Sequence, residues 1–146
     1  MRWTIITVGK PAFPWAREAV ETYLQRLQRY TKAEHVCIRD GSRSSVESQM
    51  LALSEKALRI ILDERGKTLR SSELARWIDQ QQISGIKHAC LLIGGADGHS
   101  EVFRQSAHVL WSLSSFTLQH EVALVVLLEQ LYRAHTILKG EPYHRE

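Results

Sequence analysis

Two segments of this sequence contain residues suited to ligand binding or catalysis. The first is the loop of residues 94–98, Gly-Gly-Ala-Asp-Gly, which directly follows an apolar run. Glycine allows the backbone to approach a ligand closely or to adopt a positive φ. The second is the C-terminal tail Tyr143-His144-Arg145, which offers a phenol, a titratable imidazole and a phosphate-binding guanidinium. A tight turn and a frayed terminus are the ordinary alternatives, and the residues alone leave them open.

Known catalytic motifs do not match these groups. The loop lacks both the G-x-G-x-x-G dinucleotide fingerprint and the G-K-[ST] of a phosphate loop. His120-Glu121 begins like a zinc-protease helix, but Leu124 stands where the second histidine is needed. The seven histidines show no metal-site spacing, and no G-x-S-x-G surrounds Ser114 or Ser115. We therefore expect no metal and no serine hydrolase.

Strand-like and helix-like segments alternate along the whole chain. Strands are expected at residues 3–8, 35–39, 59–62, 88–93 and 109–113. Helices are expected at residues 14–29, 44–58, from 71 onward, 101–107 and 119–139. Strict alternation predicts an α/β fold with a mostly parallel sheet and helices on both faces. At 146 residues the chain is expected to form one domain.

Local signals mark several boundaries. Ser44 lies three residues before Glu47, which is capping-box spacing for a helix start. Residues 63–67 are expected to form a turn that ends the third strand. Gly140 is expected to follow the last helix as its C′ residue.

Three small-residue or charged loops follow predicted strands, after Leu62, Ile93 and Leu113. In open parallel sheets, ligands bind outside the carboxyl ends of the strands. The sequence therefore predicts a binding site where these three loops meet.

The last helix is apolar on all sides over residues 122–128. A helix without a polar face must be enclosed. A second subunit could provide part of the enclosure, which favours a homodimer; a wholly internal helix is the alternative.

Bulk composition narrows the class of protein only a little. The net charge of +3 and the pI near 9.0 are compatible with an RNA partner but too mild to indicate one. Cys37 and Cys90 lie in predicted strands and are expected to be buried free thiols. Because there is no signal-peptide pattern and no apolar run long enough to span a bilayer, we expect a cytoplasmic protein without a membrane segment.

Taken together, these segments resemble a known family, the small SPOUT-class methyltransferases that methylate N3 of a pseudouridine in bacterial 23S ribosomal RNA. The matching stretches cover the whole length: Val8-Gly9-Lys10, Leu62-Asp63-Glu64-Arg65-Gly66-Lys67, Ile93-Gly94-Gly95-Ala96-Asp97-Gly98, Ser112-Leu113-Ser114 with Thr117-Leu118 and His120, Glu129-Gln130-Leu131-Tyr132-Arg133-Ala134, and Pro142-Tyr143-His144. Two positions depart from the family pattern, because relatives commonly carry proline in place of Gln119 and arginine in place of Leu124.

The resemblance implies a cofactor and a site. S-adenosylmethionine would be held mostly by backbone atoms of Leu62, Gly94, Leu113, Ser114, Ser115, Phe116, Thr117 and Leu118. It further implies a SPOUT-type fold with a C-terminal trefoil knot and a homodimer packed through the last helix. The substrate would be ribosomal RNA, in a hairpin loop or on an assembled ribosome.

The tail is the expected catalytic element. His144 is the candidate base or proton relay, Tyr143 would orient the base, and Arg133 would bind RNA phosphate beside them. Arg145 and His120 are further candidate RNA contacts.

Two rival functions remain at this point. One is a catalytically weakened, ribosome-associated RNA-binding factor of the same fold, which Leu124 favours. The other is a different small α/β enzyme whose loops hold another adenine nucleotide.

Overall fold

A computed structural model describes residues 1–145 of the chain. The elements are β1 (Arg2–Val8), α1 (Pro14–Leu27), β2 (Ala33–Ile38), α2 (Arg43–Leu53), β3 (Leu58–Thr68), α3 (Ser71–Ile83), β4 (His88–Ile93), α4 (Glu101–Gln105), β5 (Val109–Ser112) and α5 (His120–Leu138). Apart from α2 and β3, the boundaries differ from the expected ones by at most two residues, which is the usual uncertainty of helix and strand ends.

The five strands form one sheet in the order β2-β1-β4-β3-β5. Every neighbouring pair is parallel, as the alternating sequence predicted. β3 lies between β4 and β5, with Leu62 opposite Ile93 on one side and Trp111 on the other. Leu62, where the first regular part of β3 ends, is therefore adjacent to the carboxyl ends of β4 and β5.

Helices cover both faces of the sheet, which confirms the predicted layers. One face packs Trp3, Ile5 and Leu91 against α1, α3 and α5. The other face packs Ile6 and Leu92 against residues of α2 and α4. Neighbouring residues such as Ile5 and Ile6 lie on opposite faces of the sheet because side chains alternate in direction along a strand.

The expected start of α2 is wrong. The helix begins at Arg43, and its N-cap is Ser42, whose Oγ accepts a hydrogen bond from the backbone N of Ser45 at 3.1 Å. Glu47 does not close a capping box with Ser44. Its carboxylate instead accepts hydrogen bonds from the backbone N and Oγ of Ser100, at 2.8 and 2.6 Å. This contact holds the start of α4 against α2, and α2 itself ends at Leu53 rather than at residue 58.

The expected turn after Leu62 is also only partly right. β3 continues to Thr68, but residues 63–66 leave the ladder, so that Leu62 and Lys67 both pair with Trp111. Gly66 makes this excursion sterically feasible, because a Cβ there would lie 2.5 Å from the backbone carbonyl carbon of Trp111. The excursion carries charged residues to the carboxyl edge of the sheet.

α5 begins and ends as expected. The side-chain oxygen of Gln119 accepts hydrogen bonds from the backbone N of Glu121 and Val122 at 2.9 and 3.1 Å, and so caps the helix. Gly140 follows the helix with a φ of +69°. In the apolar run, Ala123, Leu124, Leu127 and Leu128 are buried, whereas Val122, Val125 and Val126 are only partly buried.

The two cysteines are free thiols, but only Cys90 is buried. The expectation is wrong for Cys37, which is partly exposed because β2 is an edge strand with a half-exposed face. Among residues 1–145, no helix has both the length and the apolar character needed to cross a bilayer.

Candidate functional site

A cleft of about 820 Å³ lies at the carboxyl ends of β3, β4 and β5. The predicted cofactor contacts among its lining residues are Leu62, Gly94, Leu113, Ser114, Phe116, Thr117 and Leu118. Ser115 belongs to the same loop but does not line the cleft. The cleft volume falls in the range of small-molecule and cofactor sites. The three strand ends singled out in the sequence therefore surround one space.

A buried histidine, which the sequence did not suggest, joins two of these strand ends. The Nε2 atom of His99 lies 3.1 Å from the backbone oxygen of Leu62. Its ring also fills the space beside Gly94, where a Cβ would lie 2.6 Å from the Cε1 atom of His99. Gly94 thus needs to lack a side chain because the imidazole occupies that position.

The charges around His99 are arranged in a small network. Burial lowers the pKa of His99, and this effect outweighs the opposing influence of Asp63, of the hydrogen bond with Leu62 and of Glu47. Arg104 donates a hydrogen bond to the backbone oxygen of His99 at 2.6 Å and lies 3.9 Å from the carboxylate of Asp63. The imidazole is accordingly neutral near neutral pH.

The third loop folds on itself and is tied to the excursion of β3. Ser112 Oγ donates a hydrogen bond to the backbone oxygen of Ser114, and Ser114 Oγ accepts one from the backbone N of Phe116, both at 2.9 Å. Thr117 Oγ1 donates to Glu64 Oε1 at 3.0 Å. Main-chain groups are therefore held in place at the cleft by short-range polar contacts.

The start of α5 forms one wall of the cleft, through Gln119, His120 and Ala123. His120 is half-exposed there. Behind it, the buried carboxylate of Glu121 accepts a hydrogen bond from the backbone N of Phe13 at 3.1 Å. Leu124, the second departure from the family pattern, is buried in the hydrophobic core. Gln119 thus caps α5 and Leu124 packs in the core, so the structure accommodates both departures.

The tail is packed on α5 rather than frayed. Tyr143 Oη and Arg133 Nη2 both donate hydrogen bonds to Glu129 Oε2, at 2.7 and 2.8 Å. Arg133 Nη1 donates to the Nδ1 atom of His144 at 3.1 Å. The ring of Tyr143 also stands edge-on to that of Tyr132, with 4.7 Å between the centroids. The three predicted catalytic residues therefore do lie together.

The carboxylate of Glu129 dominates the electrostatics of this group. Burial raises its pKa, but hydrogen bonds from Arg133 and Tyr143 outweigh burial, so that the net pKa is lowered. Burial and the hydrogen bond with Glu129 raise the pKa of the Tyr143 phenol. Glu129 is thus a charged anchor for the tail, and no motif in the sequence marked it as one.

The tail does not reach the cleft of its own chain. Arg133, Tyr143 and His144 are absent from the cleft lining. Arg133 stands thirteen residues beyond His120 on α5, which at a rise of 1.5 Å per residue is roughly 20 Å. Arg145 is exposed beyond them. Within a single chain, His120 therefore lies at the cleft. The other candidate catalytic and RNA-binding residues lie away from it: Arg133, Tyr143, His144 and Arg145.

These features define a class of protein. An open parallel sheet with a ligand-sized cleft at the carboxyl ends of its strands is the arrangement of α/β proteins that bind nucleotide-like cofactors. Within residues 1–145, no group of three or more histidine, cysteine or acidic side chains is arranged to hold a metal ion.

Comparison with known proteins narrows this class to one family. The family described as "Predicted SPOUT methyltransferase" matches residues 1–144. The ribosomal RNA large subunit methyltransferase H of Deinococcus deserti is 41% identical over 145 residues, which cover 99% of this chain and 100% of the relative. The protein of the same name from Thermus thermophilus is also 41% identical, with 99% of each chain covered. The chain belongs to the SPOUT methyltransferase family.

Solved structures agree on the fold. A probable methyltransferase from Bordetella pertussis superposes with a TM-score of 0.55 at 12% identity, covering 92% of this chain and 96% of the other. A probable methylase family protein from Haemophilus influenzae gives a TM-score of 0.58 at 8% identity, covering 99% of this chain and 70% of the other.

Proposed function

We propose that this protein is an S-adenosylmethionine-dependent methyltransferase that acts in the cytoplasm on N3 of a pseudouridine in 23S ribosomal RNA. The observation that carries the proposal is the convergence of three main-chain loops on one cleft in a chain that matches rRNA methyltransferases over its full length. We further propose one domain whose C-terminal segment passes through a loop as a trefoil knot. The pairing of β5 with β3 rather than β4 is compatible with such a path.

The residues of the cleft fit S-adenosylmethionine. The cofactor is a nucleoside with an amino-acid tail, and the cleft offers backbone groups at Leu62, Gly94 and the 113–118 loop. At Gly94 the His99 ring fills the position of a Cβ, so a side chain there would force the ring or the loop at the cleft to move. When bound, the cofactor supplies an electrophilic methyl group on a sulfonium. The protein's task is then to align an RNA nitrogen with that methyl group.

N3 of the base carries a proton near neutral pH, so a group that removes it would assist the reaction by about 100- to 10,000-fold. His144 is the candidate. Arginine can only donate, so the Arg133 contact makes Nδ1 of His144 an acceptor. That same lone pair would take the N3 proton once Arg133 turns towards an RNA phosphate. Tyr143, held by Glu129, would orient the base.

Because the tail of one chain lies far from its own cleft, we propose that a second copy supplies the tail. The partly exposed Val122, Val125 and Val126 of α5 provide an apolar surface for such a homodimer. His120 at the cleft and the exposed Arg145 would then contact the same RNA from different chains. The mild net charge of +3 suits recognition of a large folded RNA surface, as on a ribosome, rather than binding through a dense basic stripe.

The test uses purified protein, large ribosomal subunits that lack the modification, and S-adenosylmethionine labelled in the methyl group. The proposal expects label in 23S RNA, and nucleoside mass spectrometry should assign it to N3-methylpseudouridine. Subunits without pseudouridine would show whether that base must be present first.

Two other outcomes would contradict the proposal. Tight cofactor binding without methyl transfer would indicate a weakened, RNA-binding member of the family. Absence of cofactor binding, with binding of NAD or ATP instead, would indicate a different nucleotide-binding enzyme.

A further inference from the structure

We propose that His99 is a positioning residue for the cofactor, one that joins the end of β3 to the glycine-rich loop and so sets the spacing of the main-chain groups that hold S-adenosylmethionine. This inference rests on the proposed function of the cleft. It adds a side chain that neither the loop motif nor the family resemblance singled out.

The geometry carries the inference. The Nε2 atom of His99 lies 3.1 Å from the backbone oxygen of Leu62, thirty-seven residues away in sequence. Because a carbonyl oxygen only accepts, Nε2 must carry a proton and donate it. The same ring stands where a side chain at position 94 would be, 2.6 Å from the Cβ that glycine lacks. One imidazole therefore contacts both Leu62 and Gly94, each of which lines the cleft.

His99 is itself held firmly. It is 8% exposed, and its ring packs on Phe103 with 5.0 Å between centroids. Arg104 donates a hydrogen bond to its backbone oxygen, and the next residue, Ser100, is bound by Glu47 of α2. The imidazole can thus transmit the position of α2 and α4 to the two strand ends.

Acid should weaken cofactor binding through the same residue. Burial lowers the pKa of His99, so the group is neutral at pH 7 and gains a proton only in more acidic solution. The charged groups around it are Asp63, Glu47 and Arg104. A protonated imidazole under the cleft would add positive charge beside a cofactor that carries a sulfonium. Affinity should therefore fall as pH decreases.

Two substitutions separate positioning from mere packing. In His99→Gln, the side-chain amide nitrogen is as many bonds from Cβ as the Nε2 atom of histidine is. The glutamine can therefore donate a hydrogen bond to the backbone oxygen of Leu62, but it does not titrate. Leu in His99→Leu keeps the apolar bulk but removes the donor. By titration calorimetry with S-adenosylmethionine, His99→Leu should weaken binding by up to about tenfold, as part of the free energy of the lost His99–Leu62 hydrogen bond is spent on ordering the cleft when the cofactor binds. His99→Gln should remain within about twofold of wild type on the same scale.

His88 provides the matched control at the other end of β4. Its imidazole is also hydrogen-bonded, through Nε2 to Thr4 Oγ1 at 2.8 Å, and burial also lowers its pKa. It is absent from the cleft lining. His88→Leu should leave the cofactor affinity unchanged, although it removes a comparable contact.

The pH dependence completes the test. As the pH falls below 7, wild type should lose more affinity than His99→Gln, because only wild type has an imidazole at this position to protonate. Equal losses in the two proteins, or equal affinity of His99→Leu and wild type, would overturn the inference while leaving the cofactor assignment intact. If wild type itself fails to bind S-adenosylmethionine, the proposed function is wrong instead. Should His99→Leu not fold, the pH comparison of wild type with His99→Gln decides alone.

Discussion

Replacement of Gly94 by alanine is the sharpest perturbation of the cleft. The new Cβ would lie 2.6 Å from the Cε1 atom of His99, whereas two carbon atoms in contact need about 3.5 Å. Either the imidazole or the loop must therefore move by about 1 Å. Overpacking of this kind costs about 1–3 kcal/mol. If the movement falls on the main-chain groups at the cleft, the affinity for S-adenosylmethionine should fall about 5- to 150-fold.

The neighbouring glycine supplies a matched control for this substitution. A Cβ at Gly95 would lie 3.7 Å from Val8 Cγ1, an ordinary contact, so Gly95→Ala should bind the cofactor much as wild type does. Titration calorimetry measures the affinities, and thermal unfolding checks that both variants are folded. Adding Gly94→Ala in a His99→Ala background should cost less than in wild type, because the obstacle is gone. Wild-type affinity in Gly94→Ala, or an equal loss of affinity in Gly95→Ala, would show that the contact between position 94 and His99 does not control cofactor binding.

Three further predictions concern the tail and the core. His144→Ala should reduce methylation of ribosomal subunits by about 100-fold or more with unchanged cofactor affinity; unchanged turnover would remove His144 from the mechanism. Glu129→Gln should release Tyr143 and Arg133, so limited proteolysis should trim the tail faster and turnover should fall; a tail as resistant as that of wild type would contradict the anchoring role. Burial, with smaller effects of the N-terminal amino group and Lys139, lowers the pKa of His135 to about 4, below its unfolded value of 6.5. Protonation of His135 therefore leaves the free energy of unfolding unchanged above about pH 6.5 and lowers it towards about pH 4, by up to about 3 kcal/mol. The free energy of unfolding in urea should depend less on pH for His135→Gln than for wild type. Identical pH profiles for the two proteins would disprove the assignment.

The sequence predicted the sheet and the position of the cleft because both depend on local patterns. Buried strands of four to six residues, such as β4 and β5, read as apolar runs, and their alternation with helices predicts parallel pairing. The loops after Leu62, Ile93 and Leu113 could then be assigned to one edge without knowledge of the strand order.

The parts that the sequence did not predict depend on contacts between distant residues. Glu47 matches a local capping pattern, yet its partner is Ser100. His99 gains its place through Leu62 and Gly94, and a lone histidine after a glycine-rich loop carries no motif. Glu129 accepts a hydrogen bond from Tyr143 only because residues 142–144 fold back onto α5.

The distance of Arg133 from the cleft could have been inferred from the sequence. His120 stands at the cleft and Arg133 lies thirteen residues further along α5, so helix geometry separates them by roughly 20 Å. The tail packs beside Arg133 and Glu129, so it stays apart from the cofactor loops of its own chain while these contacts hold. In the proposed homodimer, the tail of the second copy would reach the cleft instead.

A crystal structure of the protein with bound S-adenosylmethionine would show where the cofactor lies. We expect it in the cleft, within hydrogen-bond distance of main-chain atoms of Leu62, Gly94 and the 113–118 loop. A cofactor bound elsewhere, or held mainly by side chains outside these three strand ends, would contradict this expectation.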